Sequence, residues 1–277
     1  MIRSILVALD DTDSSQTARR FAIAMAKRRK AKLSGLGVVD KPWLTAPEAV
    51  PIGGAAFKAD LDQQLVEDAK KYIHKVERTF KKECVENDVS CSIIDTTGEP
   101  THEISKHLVD HDILVVGKDA DFHFAGTSDT SSVVKALLNS NPRPLILTGT
   151  SEDTGKDIIV TYDGSQSSSR AIHLAILLDL FKFTTPHLVT VASSKKKAKD
   201  TMKLAIQLFN NHGIEPVLHP IESSNRPSSE IINLADKLDT AMIVMGACGN
   251  KGIQYLFSGS VSRDLLKGTQ YPFFTYH

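Results

Sequence analysis

The chain has 277 residues, 41% of them hydrophobic, which is enough for one large or two ordinary domains with real cores. Its 33 basic and 33 acidic side chains balance, which removes any whole-molecule electrostatic case for a nucleic acid or an anionic membrane as partner. The three cysteines, Cys84, Cys91 and Cys248, have neither a paired framework nor zinc-like C-x-x-C spacing, so they read as reduced thiols.

In chain order, Met1-Ile2-Arg3-Ser4 runs directly into a strand pattern without a signal h-region, and no apolar run approaches the length of a membrane span. The cytoplasm is the expected compartment. The first strand, Ile5-Leu6-Val7-Ala8-Leu9-Asp10, returns as Ile158-Ile159-Val160-Thr161-Tyr162-Asp163, an offset of 163 − 10 = 153, and each copy is followed by a Ser/Thr-rich turn. Ala18, Phe21, Ala22 and Met25 recur at the same offset as Ala171, Leu174, Ala175 and Leu178, at the spacing of a helix with one buried face. A repeat of this length is a domain duplication, with domains expected at residues 1–150 and 151–277.

Second strands follow at residues 33–39 and 188–192. Beyond them the copies diverge. Residues 40–59 carry Pro42, Trp43, Pro47, Pro51 and Gly53-Gly54, a composition that resists regular structure, so a long loop is expected there, either a lid, a partner surface or a disordered excursion. A helix is then predicted over 61–87 from the spacing of Leu61, Leu65, Ala69, Tyr72, Val76 and Phe80. The second half passes directly into a helix over 195–212, whose Lys195-Lys196-Lys197 start reads as solvated and lacks the aromatic interleaving of a nucleic-acid site.

Third strands are predicted at 89–96 and 214–222, and fourth strands at 113–116 and 242–245, the latter pair running into Gly117 and Gly246. Fourth helices hold Val133, Val134 and Leu137 in one copy and Val261, Leu265 and Leu266 in the other. Fifth strands close the halves at 144–147 and 272–276. Apolar, non-alternating strands that alternate with helices mean an α/β fold with a parallel sheet covered on both faces.

Two constellations carry less. Asp11-Thr12-Asp13 loosely resembles the nucleophile loop of aspartate-based phosphohydrolases, but its copy is Gly164-Ser165-Gln166 and no further acidic cluster accompanies it. His107 and His111 stand four apart, a spacing that can hold a metal, yet Asp110 and Asp112 beside them favour a solvated helix face.

The most informative stretch is 242–266. Met242-Ile243-Val244-Met245 ends in Gly246, with Gly249 and Gly259-Ser260 beyond. A buried strand that ends in glycines and feeds a helix lets the backbone approach an anion, with amide groups and the positive helix end pointing at it. That makes a nucleotide the leading ligand. The spacing Gly-x2-Gly-x9-Gly-Ser resembles the ATP-binding signature of the universal stress protein family, and the order of elements extends the resemblance over nearly all of both halves.

The resemblance implies two tandem Rossmann-like (adenine nucleotide alpha hydrolase-like) domains, each a five-stranded parallel sheet of order 3-2-1-4-5 flanked by helices, with ligands at the carboxyl ends beside the switch point. It assigns Asp163 and Val191 to the adenine and ribose end, Met245 to the adjoining wall, and Gly246, Gly249, Gly259, Ser260 and Val261 to the phosphates. Asp163 also reads as a plain cap of the first turn. In the first half Ala120 and Thr130 stand where the second and third glycines belong, and Asp121 and Asp129 add negative charge, so weak or absent nucleotide binding is expected there.

The expected function is stress response through nucleotide-dependent interactions, with ATP or AMP, and Mg²⁺ as companion, fixing the 249–259 loop in the second half. No catalytic set surrounds the loop, so slow ATP hydrolysis at most is expected. The alternative is an interaction protein whose vestigial pocket takes another small or lipid-like ligand. The fifth strands are expected to pair, as an intrachain pseudo-dimer or in a homodimer. Cys248, inside the loop, is a candidate redox-sensitive thiol.

Overall fold

The computed structural model describes residues 1–49, 51–122, 131–140, 142–150, 155–246 and 271–276. These pack as two compact units, Arg3–Arg143 and Pro144–His277, the latter joined by Met1–Ile2.

The first unit contains β1 (Ser4–Leu9), α1 (Asp13–Arg29), β2 (Lys32–Val39), α2 (Lys41–Leu44), α3 (Ala55–Glu86), β3 (Cys91–Thr97), α4 (Pro100–Leu108), β4 (Ile113–Gly117) and α5 (Ser131–Ser140). Its strands run parallel in the order β3-β2-β1-β4. The second unit contains β5 (Leu145–Thr148), β6 (Asp157–Thr161), α6 (Gln166–Leu177), β7 (Thr185–Ala192), α7 (Lys195–Asn211), β8 (Val217–Glu222), α8 (Pro227–Ala235), β9 (Thr240–Gly246) and β10 (Phe273–Tyr276). Here the order β8-β7-β6-β9-β10 is parallel throughout, the 3-2-1-4-5 arrangement, and β5 adds to β10 as an antiparallel neighbour with Phe274 opposite Ile146. The order reverses at β6, whose neighbours are β7 on one side and β9 on the other, which makes the carboxyl ends of β6 and β9 the switch point of this sheet.

The strands form where the sequence is continuously apolar. Ile5, Leu6, Val7 and Leu9 are fully buried, as are Ile159, Val160, Ile243 and Val244, because helices cover both faces of each parallel sheet. Helix starts are marked by side-chain caps. Thr12 accepts from the Ser15 amide at α1, Ser165 from the Ser168 amide at α6, and Ser194 from the Lys197 amide at α7. Pro100 and Pro227 open α4 and α8, where a missing amide hydrogen costs nothing. Lys30 ends α1 in the left-handed region at φ 53°, behind a last turn holding Lys27, Arg28 and Arg29 that complements the helix dipole.

The stretch expected to be a long loop is partly helical. Asp40 caps α2 by accepting from the Trp43 amide, and α3 begins at Ala55, six residues before the predicted start, to run for 32 residues, about 48 Å at 1.5 Å per residue. Its buried residues are confined to Ala69, Ile73, Val76, Glu77, Phe80 and Cys84. Ahead of them, Phe57, Leu61 and Leu65 are exposed. At the other end Arg19, buried on α1, donates from Nε to Glu83 Oε2 of α3 at 3.1 Å and from Nη1 to the Asp10 carbonyl at 3.2 Å, tying the end of β1 to both helices. No helix among the described residues is long and apolar enough to cross a membrane.

The glycine that ends β4, Gly117, lies directly on the first turn of α1. A Cβ there would stand 2.5 Å from Ser14 Oγ and 2.6 Å from the Ser15 amide nitrogen. Gly246, which ends β9, makes the same approach to α6, with Ser168 N 2.4 Å and Ser167 C 2.5 Å from a built Cβ. The obstacles include backbone atoms, which cannot swing aside. Gly117→Ala is therefore expected to destabilise the protein by about 1–3 kcal/mol, the usual cost of forced overpacking, read as a lower urea midpoint at unchanged slope.

Candidate functional site

The sites follow from what each duplicated strand–turn–helix does with its aspartate. In the second unit Asp163 stands two residues past β6. Gly164 turns the chain at φ 82°, a left-handed value that suits glycine, and Ser165 then caps α6. This turn gathers donors on one carboxylate oxygen, since Asp163 Oδ1 accepts from the Ser165 amide at 2.9 Å and from Ser168 Oγ at 2.8 Å. Oδ2 accepts nothing among the described residues, and the side chain is exposed. Partial burial pushes the Asp163 carboxyl up, but the hydrogen bonds from Ser165 and Ser168 together outweigh it and leave the pKa below the ordinary 3.8. Asp163 is thus an anion at neutral pH on an exposed residue.

The neighbouring strands bring the other expected residues to the same edge. The Tyr162 amide donates to the Val189 carbonyl, and Thr161 pairs with Val189, so Val191 lies level with Asp163 on β7. Val191 is half-buried and Met245 buried, while Val244 pairs with Val160 and brings Met245 and Gly246 beside the end of β6. Asp163, Val191, Met245 and Gly246 therefore share one carboxyl edge, a carboxylate flanked by apolar side chains. Gly249, Gly259, Ser260 and Val261, with Cys248, lie outside the described residues. Gly246 also has a packing reason of its own, the close approach to α6, which Gly117 shares in the half where no nucleotide is expected.

The first unit uses the equivalent aspartate differently. Asp10 is fully buried and both of its oxygens are occupied: Oδ1 accepts from the Thr12 amide and hydroxyl, each at 2.8 Å, and Oδ2 from the Asp121 amide at 2.8 Å. The chain after β4 folds back to make that last bond. Its turn is closed by the Ala120 amide on the Gly117 carbonyl and by the Asp119 amide on Ser14 Oγ, and it buries Ala120 and Phe122. Desolvation raises the Asp10 pKa despite these donors. Sequence reading expected added negative charge from Asp121; in the structure its main-chain amide donates to Asp10 Oδ2.

The lesser candidates resolve into structural roles. Asp11 Oδ2 accepts from the Tyr72 hydroxyl, Thr12 caps α1 and Asp13 is the first residue of that helix. His111 lies beyond the end of α4 and is buried, with Nδ1 facing the His107 carbonyl at 2.7 Å and Nε2 facing Ser34 Oγ at 3.0 Å. It is a core histidine rather than part of a solvated helix face. Lys195 to Lys197 form the exposed start of α7.

Comparison with known proteins adds to this geometry. The chain matches the Universal stress protein family over residues 1–147 and 184–276. The universal stress protein Slr1230 of Synechocystis sp. is 22% identical over 303 aligned residues, covering 99% of this chain and 100% of that protein. The universal stress protein YxiE of Bacillus subtilis is 29% identical over 119 residues, 42% of this chain and 79% of its own. Among solved structures, a universal stress protein from Archaeoglobus fulgidus aligns with a TM-score of 0.71 at 19% identity, over 98% of this chain and 95% of the other.

The Asp163 carboxylate has a measurable signature. Its folded pKa is below the unfolded 3.8, so the stability it contributes is fully present above pH 3.8 and is lost as pH falls through the lower folded value. Asp163→Asn is expected to lower stability by about 1 kcal/mol at pH 7. The gap between wild type and variant, from urea melts, should hold from pH 7 to 5 and narrow below 3.8.

Proposed function

As the chain belongs to the universal stress protein family, we propose that its second unit binds an adenine nucleotide, ATP or AMP, at the carboxyl edge of β6, β7 and β9. The observation that carries this reading is the exposed Asp163, held by serine donors on Oδ1, set against a fully buried Asp10 whose Oδ2 accepts from the Asp121 amide. An ionised carboxylate with one oxygen held by Ser165 and Ser168 is oriented before a ligand arrives. Its other oxygen can accept from a ribose hydroxyl or the adenine amine. Val191 and Met245 supply apolar contact for the base. The phosphates fall to the main-chain amides of Gly246, Gly249 and Gly259 with Ser260 and Val261, and Mg²⁺ accompanies a triphosphate.

The role is binding. Occupancy of this edge shifts the population of surfaces the protein presents, and partners in a stress response read that shift. No described residue near Asp163 is placed to activate water, so turnover is expected to be slow at most. The antiparallel pairing of β5 with β10 supports joining of the two fifth strands within one chain.

Isothermal titration with ATP and AMP tests the assignment. Wild type should take up about one nucleotide per chain, and both Asp163→Ala and Gly259→Asp should weaken binding at least about tenfold, the scale of one lost charge-assisted hydrogen bond. Asp10→Asn should leave the affinity unchanged. Absence of heat from wild type, or a loss confined to Asp10→Asn, overturns the reading.

A further inference from the structure

The inner face of α3 contains one residue out of keeping with its neighbours. Ala69, Ile73, Val76, Phe80 and Cys84 form the buried stripe that packs this helix on the sheet, and Glu77 lies in the same stripe with 7% exposure. Room for its carboxylate comes from β2. Gly37 has no side chain where one would meet Glu77 Oε1 at 2.6 Å. Oε1 is buried without a hydrogen-bond partner. A carboxylate taken out of water with no donor is costly, and proteins hold such groups by protonating them or by bringing a cation.

Two further ligand-type groups converge on it. His74 is one turn earlier on the same face of α3, and Asp95 projects from β3, where it pairs with Gly37 across the strand. His74 Nε2 lies 3.0 Å from Asp95 Oδ2, and one donor atom from each of His74, Glu77 and Asp95 falls within 4.8 Å of the others. We propose that His74, Glu77 and Asp95 form a site for a divalent first-row cation of the Zn²⁺ or Mn²⁺ type on the first unit.

The chemistry of the set fits that class. One imidazole nitrogen with two carboxylates is a borderline-hard donor group carrying two negative charges, which a divalent ion neutralises. Tetrahedral bonds of about 2.0–2.1 Å put ligand atoms about 3.4 Å apart, so the three groups need only small side-chain rotations to close on an ion. His74 and Asp95 are half-exposed, which leaves an entry path and a position for water, while Glu77 fixes the inner corner. Burial and the neighbouring Asp95 raise the Glu77 pKa more than His74 and Lys81 lower it, so the protein's own charges leave this carboxylate uncompensated. A bound ion joins α3 to β3.

The test is titration of the full chain, stripped with a chelator, with Zn²⁺ and separately with Mn²⁺, in the absence of nucleotide. One equivalent should bind per chain and raise the melting temperature. His74→Ala, Asp95→Asn and Glu77→Gln should each weaken that binding by at least about tenfold, the lower end of what even an outer-shell change costs. His102→Ala, an exposed histidine outside the set, should not. His74 and Asp95 are half-exposed, so these two variants report on the site even where Glu77→Gln alters packing. No binding at a hundredfold excess of either ion, or binding that survives all three substitutions as an adventitious ion, overturns the proposal.

Discussion

Each repeat is built around one contact that only glycine permits. Where the fourth strand of the repeat ends, at Gly117 and Gly246, its backbone lies on the first turn of the helix that follows the first strand, with no space for a single carbon between them. This approach sets where the strand's carboxyl end sits relative to the aspartate that precedes the helix. In the first unit it holds the next stretch of chain within hydrogen-bond reach of that carboxylate. Duplication copied the contact. What each copy later did with the carboxylate was then free to differ.

The difference is one of acceptor accounting. A buried carboxylate must be satisfied, and in the first unit the chain does so itself by returning a main-chain amide from Asp121 to Asp10 and sealing the place with Ala120 and Phe122. In the second unit serine donors gather on one oxygen of Asp163, and the residue stays exposed. The first arrangement adds to the core; the second keeps an oriented anion at the surface, where it adds little to packing. The Arg19 link from the Asp10 carbonyl to Glu83 of α3 fits the former role, because it ties the closed site into the body of its unit.

Much of this was legible in the sequence because it depends on local pattern. Continuous apolar runs mark the strands, and the shared offset of Asp10 and Asp163, with Ala18 and Ala171, marks the duplication. The departure of Ala120 and Thr130 from the glycine pattern set the first half apart from the second in the sequence. What the pattern could not carry was tertiary. Asp121 read as a charge, while its consequential group is a backbone amide; Gly246 read as a phosphate contact, and what the structure shows is its close packing on α6. His111 looked solvated by its neighbours and is buried against Ser34, seventy-seven residues away in the chain. The start of α3 was missed because Gly53-Gly54 and the prolines dominate local propensity. His74 and Glu77 were not singled out in the sequence at all, and Asp95 joins them only through the register of β2 and β3.

The first half of α3 has an evolutionary consequence. From residue 55 to 68 no side chain of this helix is buried, so the segment extends roughly four turns ahead of its anchored part. A change of length there leaves the residues this helix itself buries, from Ala69 on, in place on the sheet. Selection can therefore lengthen, shorten or redecorate this arm between lineages while the α/β body stays under its own, much stricter, constraints.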